Sequence, residues 1–149
     1  MTTSFLHPAL LLIVGAVLLP LVREPFRKLY LCSVPIATFV AVLALNWQPG
    51  VYGEVVFMDR WTLTFARVDN LSSIFGFIMG LMAIIGTIYG LHVKDNWQHL
   101  ASWFYVAGSL GVIYAGDYLV LFLFWEMMAF ASTFLVWFNK EEGALAAGY

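Results

Sequence analysis

Five apolar runs divide the chain, at Phe5 to Val22, Leu29 to Trp47, Leu71 to Val93, Leu100 to Ala115 and Tyr118 to Phe138. Each is close to the ~20 residues that a helix needs to cross a hydrocarbon core of ~30 Å, so the pattern predicts an all-α integral membrane fold with five transmembrane helices. Between the first two runs stands Arg23-Glu24-Pro25-Phe26-Arg27-Lys28. Its charges and its proline are costly in lipid, which predicts a helix-to-helix turn there. Only Gly116-Asp117 separates the fourth run from the fifth. Glycine suits the end of one helix and aspartate the cap of the next, so these two runs form a tight antiparallel pair.

The one long polar stretch, Gln48 to Asp69, reads as a surface hairpin over about residues 51–66, rich in the strand formers Val51, Val55, Val56, Phe57, Trp61, Leu63 and Phe65. Alternation with period two is clearest over Trp61-Thr62-Leu63-Thr64-Phe65, and Met58-Asp59-Arg60 supplies the turn. The third helix then starts at Asp69-Asn70-Leu71-Ser72-Ser73. Either Asp69 or Asn70 can accept hydrogen bonds from the orphan N–H groups of its first turn, a capping role rather than a catalytic one.

Composition agrees with lipid as the solvent: 62% of residues are hydrophobic and 11% charged, against roughly 25% charged in soluble domains. The whole of residues 1–149 reads as a single membrane domain. Its one cysteine, Cys32, lies in an apolar run and reads as packing. No positive charge precedes Phe5, so the first run reads as a retained helix rather than a secretory signal. Arg23, Arg27, Lys28, Lys94 and Lys140 fall on one side of the membrane, while Arg60 and Arg67 fall on the other. The positive-inside bias therefore predicts an outward N-terminus and hairpin and a cytoplasmic C-terminus in the cell (inner) membrane. Trp47, Tyr52 and Trp61 on one side, and Trp97, Trp103 and Trp137 on the other, are placed as interfacial aromatic belts.

Little in the chain resembles a catalytic or cofactor site. His7 is at the outer end and His92 and His99 at the inner end, where they flank a turn and read as solvated residues rather than haem ligands. No metal set, phosphate loop or nucleophilic triad is visible, so neither a metal nor a cofactor is expected, and no basic patch suggests nucleic acid. Gly76, Gly80, Gly86 and Gly90 have the small-residue spacing that lets helices approach closely, as do Gly108 and Gly111 more loosely.

Glu126 resists a purely structural reading. It lies nine residues beyond Asp117 in the fifth run, hence about 13 Å deep at ~1.5 Å per residue. A carboxylate at that depth costs about 2.5 to 3.5 kcal/mol on insertion scales, so it should face a bundle interior, a hydrated cavity or a basic partner. Ser132 and Thr133 follow six and seven residues later and extend a possible polar stripe. One reading makes Glu126 a permanently protonated acid anchoring one interhelical hydrogen bond. The other makes it a group whose protonation changes as ions or protons cross. No lysine or arginine lies in the interior of the five runs to neutralise it, so a charged partner must come from elsewhere.

The run Arg67-Val68-Asp69-Asn70-Leu71-Ser72-Ser73-Ile74-Phe75 after the hairpin, followed by Gly116-Asp117-Tyr118-Leu119-Val120-Leu121-Phe122-Leu123-Phe124-Trp125-Glu126-Met127-Met128, resembles the antiporter-like membrane subunits. These occur in respiratory complex I, multisubunit Na+/H+ antiporters of the Mrp type and membrane-bound hydrogenases. Gly143 to Tyr149 is similar to the approach to the next helix in that family. The resemblance implies an N-terminal portion of such a subunit. In it Glu126 belongs to a proton-transfer route and pairs with an intramembrane lysine on a later helix, supplied by another chain or segment. It also implies other membrane subunits as partners within the lipid bilayer, and coupling by electrostatics without a cofactor. Any oxidoreductase label would belong to an NADH-quinone oxidoreductase-like or hydrogenase-like assembly, not to a catalytic site in this chain. The alternative is a structural membrane subunit with Glu126 as a buried anchor.

Overall fold

The computed structural model describes residues 5–57 and 60–138. Helix α1 spans Pro8–Leu18 and tightens into a 3-10 turn at Leu19–Leu21. Then follow α2 (Glu24–Asn46), strands β1 (Gly50–Phe57) and β2 (Trp61–Val68), and helices α3 (Asn70–Gly90), α4 (Asn96–Tyr114) and α5 (Tyr118–Trp137). The fold is thus mostly helical, with five α-helices and one two-stranded antiparallel sheet among the described residues. Three of the helices, α2, α3 and α5, are long and apolar enough to cross a membrane. Helix α1 is shorter, and α4 opens with the polar residues Asn96, Gln98 and His99, so length and composition single out three spans where the pattern of runs suggested five.

The second helix begins earlier than Leu29. Glu24-Pro25 forms its first turn, because a proline there gives up an N–H that has no partner in any helix start. The charged stretch therefore belongs to α2, and the chain turns at Leu19–Arg23 instead. Arg27, buried, explains how the helix tolerates this: its Nε–H donates to Asn96 Oδ1 at 2.8 Å and its Nη2 to the Val93 carbonyl at 3.0 Å. Those bonds tie the start of α2 to the connection between α3 and α4. The third helix ends at Gly90 rather than Val93, and the fourth starts at Asn96 rather than Leu100, capped by Asp95 on the Trp97 N–H.

The hairpin is longer at both ends than residues 51–66, with pairing from Gly50 opposite Val68 to Phe57 opposite Trp61. Of its turn, Met58 and Asp59 lie outside the described residues, as do Lys140 and the run from Gly143. Gly53 has φ +67° and stands opposite Phe65, between the Tyr52–Ala66 and Glu54–Thr64 pairs of an unbroken register, in a left-handed conformation that glycine adopts without strain.

Helix α4 is the spine, packing against α1, α3 and α5, while α2 packs against α1 and α3. The core joins Leu12, Leu31, Val42, Trp103, Leu110 and Tyr114 across α1, α2 and α4. Trp103 is only 1% exposed and its indole N–H donates to Thr87 Oγ1 at 3.0 Å, which corrects its placement in an aromatic belt. His99, 5% exposed with its Nε2 3.1 Å from the Val93 carbonyl, is a packed residue and not a solvated one. Of the glycines in α3, Gly76 lies against Tyr114 and Gly80 against Phe39, whereas Gly86 faces open space.

Candidate functional site

Helix α5 carries the candidate carboxylate, and two local devices hold it in place. The first is its N-cap. Asp117 Oδ1 accepts the N–H groups of Leu119 and Val120, each at 2.9 Å, and Oδ2 accepts the N–H of Thr64 in β2 at 2.5 Å. Burial pushes the Asp117 carboxyl up, but the N–H groups of Thr64, Val120 and Leu119 outweigh it, leaving the group below the usual carboxylate range. Asp69 caps α3 in the same way. Its side chain accepts the Ser72 N–H at 2.8 Å while Ser72 Oγ accepts the Asp69 N–H, a capping box. The Ser72 N–H first, and then the Ser72 hydroxyl, lower the Asp69 carboxyl. Asn70 is the first helical residue of α3.

The second device is a knob. The Phe124 ring stacks on the His7 imidazole, with centroids 5.5 Å apart and planes at 17°, and also rests against Gly111 of α4. Gly108 admits the backbone of α5 itself: a methyl group there would stand 2.9 Å from the Phe124 carbonyl oxygen and 3.1 Å from the Met128 nitrogen. The Gly108 and Gly111 pair is therefore a notch that seats α5 against α4.

Glu126 lies two residues past the knob, in the middle of the 20-residue α5 and about 12 Å from its start. At ~100° per residue, Val120, Phe124 and Ala131 share the face toward α4, and Glu126 stands roughly 140° round from it. Its neighbours on that open side, Phe122 and Phe130, are 60% and 66% exposed. Glu126 is half-buried and has no hydrogen-bond or ion-pair partner among the described residues. Thr133 falls close to its face, but both Thr133 and Ser132 donate their hydroxyls to the Ala129 carbonyl, at 3.1 and 2.7 Å. Helices α3, α4 and α5 carry no lysine or arginine. Among the described residues no His, Cys, Asp and Glu cluster has the arrangement to hold a metal.

Phe124, Gly111, His7 and Thr64 were not singled out as parts of this site from sequence. The spacing of Gly108 and Gly111 was the one visible signal, and it did not say what the notch receives.

Fold and carboxylate together define a multi-pass helical membrane protein with an acid in mid-helix that has no partner among the described residues. In sequence the chain is similar to the Na(+)/H(+) antiporter subunit A1 of Staphylococcus aureus, 24% identical over 97% of this chain and 20% of the relative. It is likewise similar to the subunit of the same name from Staphylococcus haemolyticus (strain JCSC1435), 25% identical over the same shares. The fold is shared with a chain of the membrane-bound sulfane sulfur reductase, an archaeal respiratory membrane complex, with a TM-score of 0.73 and 15% identity over 95% of this chain and 31% of that one. No protein-family model matches. The resemblance to antiporter-like subunits thus runs nearly the full length of the chain, which spans about a fifth of the length of those curated relatives.

Proposed function

We propose that this chain is part of a multisubunit proton- or cation-translocating membrane complex and that Glu126 is its intramembrane proton-transfer carboxylate. The observation that carries the reading is the placement of Glu126 at mid-helix on the open side of α5, with no partner among the described residues. A carboxylate so placed in lipid needs a counter-charge. An intramembrane lysine from a further helix, in another segment or polypeptide, meets that need. When the lysine approaches or a cation arrives, the ionised form is favoured and the proton leaves; when the positive charge withdraws, the proton returns. The antiporter relatives and the respiratory structure support this setting. In the same reading all five helices cross the membrane, with the N-terminus and hairpin outside and the C-terminus cytoplasmic. The anchor alternative, in which Glu126 only makes a buried hydrogen bond, finds no acceptor or donor for it among the described residues.

Glu126→Gln keeps shape and hydrogen-bonding capacity but cannot ionise. In the assembled complex, this variant is expected to assemble normally and to lose proton or Na+ transport. Retained transport would sink the proposal.

A further inference from the structure

Thr64 stands opposite Glu54 in the hairpin, yet its own backbone groups serve the free edge of β2. Its N–H donates to Asp117 Oδ2 at 2.5 Å, and its carbonyl accepts the Gly116 N–H at 3.0 Å. The turn between α4 and α5 thus docks on the free edge of β2 at Thr64, satisfying both backbone groups of that residue. Gly116 permits the approach, since a Cβ there would press on the Thr64 side chain and stand 3.0 Å from its carbonyl oxygen. Asp117 then does two things with its two oxygens. Oδ1 closes the first turn of α5, and Oδ2 fastens that turn to the hairpin.

Of the twenty residues of α5 only Val120 and Ala131 are buried, and the helix packs on α4 and on β2. A helix held along one side by a notch needs an end stop to fix its rotation and depth. We infer that Asp117 is a positioning residue: its bond to the Thr64 N–H makes the hairpin the stop that sets where Glu126 stands in the membrane. This rests on the reading of Glu126 above. A displacement of the hairpin is then felt at the carboxylate through a rigid helix about 12 Å long between the two.

Capping and fastening can be separated. Asp117→Ser keeps one oxygen, enough to cap α5, but loses the reach to Thr64. Thr64→Pro removes the donor from the other side and spares the pairing with β1, which does not use that N–H. In membranes containing the assembled complex, Glu126 is modified with a hydrophobic carbodiimide at fixed pH and quantified by peptide mass spectrometry. Each variant is expected to assemble, to change the labelling rate severalfold and to shift the pH profile of transport. The double variant should go no further than either single one. Labelling rates equal to the parent's, or effects that add, overturn the inference, as does failure of Asp117→Ser to assemble, since the bond would then hold the fold rather than the carboxylate. Labelling reports where Glu126 stands whether or not it carries protons. A Glu126→Gln protein that still transports would therefore overturn the functional reading and leave this result legible.

Discussion

Replacing Gly108 by alanine tests the seating of α5 most sharply. The added methyl would stand 2.9 Å from the Phe124 carbonyl oxygen, 3.0 Å from Met128 Cβ and 3.1 Å from the Met128 nitrogen. Carbon pairs settle at about 3.5 to 4.0 Å, so α5 must withdraw by about 0.5 to 1 Å. Two of the three atoms are backbone, which no rotamer change can move aside. Overpacking of this kind costs about 1 to 3 kcal/mol, against which alanine returns about 0.5 to 1 kcal/mol of helix propensity. The net expectation is a loss of up to roughly 2.5 kcal/mol. Gly86→Ala is the matched control, because nothing lies within 4 Å of a methyl group there and only the propensity gain remains. Thermal unfolding of the purified proteins in one detergent, followed by tryptophan fluorescence, should place Gly108→Ala below the parent and Gly86→Ala at or above it. Equal midpoints for the two variants would refute the seating argument.

Two further outcomes follow from other contacts. Thr87→Val leaves the buried Trp103 indole N–H without its acceptor and should cost about 1 to 3 kcal/mol; Thr87→Ser, which keeps the acceptor, should lose clearly less in the same unfolding assay. The Asp117 carboxyl is held below its usual range by its N–H partners, so its stabilisation is fully present at neutral pH and above the ordinary carboxylate value of about 3.9, and is lost as pH falls from there through the lowered one. Hydrogen exchange at the Thr64, Leu119 and Val120 amides, corrected for intrinsic rates, should show protection lost only in that acid window; loss already between neutrality and pH ~5 would contradict it.

Local chemistry was legible in the chain, and contacts across it were not. Asp117 announces itself as a cap because an aspartate after glycine, before an apolar run, has one common use, and the alternation over Trp61 to Phe65 marks β2 for the same reason. Glu126 was visible because lipid makes a mid-run carboxylate costly. The start of α2 was missed because Pro25 and its charged neighbours also suit a turn; what favours helix there is Arg27 finding Asn96, 69 residues away. Trp103 shares its residue type with Trp97 and Trp137, and only the position of Thr87 on a neighbouring helix puts it in the core. The bond between Thr64 and Asp117 joins a backbone N–H to a side chain 53 residues on, and nothing in the identity of threonine signals it.

The central claim is that the protonation of Glu126 changes during transport. Difference infrared spectroscopy on the assembled complex, with an ion gradient applied and removed, reads it directly. The account predicts a carboxyl C=O stretch that appears and vanishes with the gradient and is missing in Glu126→Gln. A Glu126 carboxyl band that stays constant while ions move would contradict it.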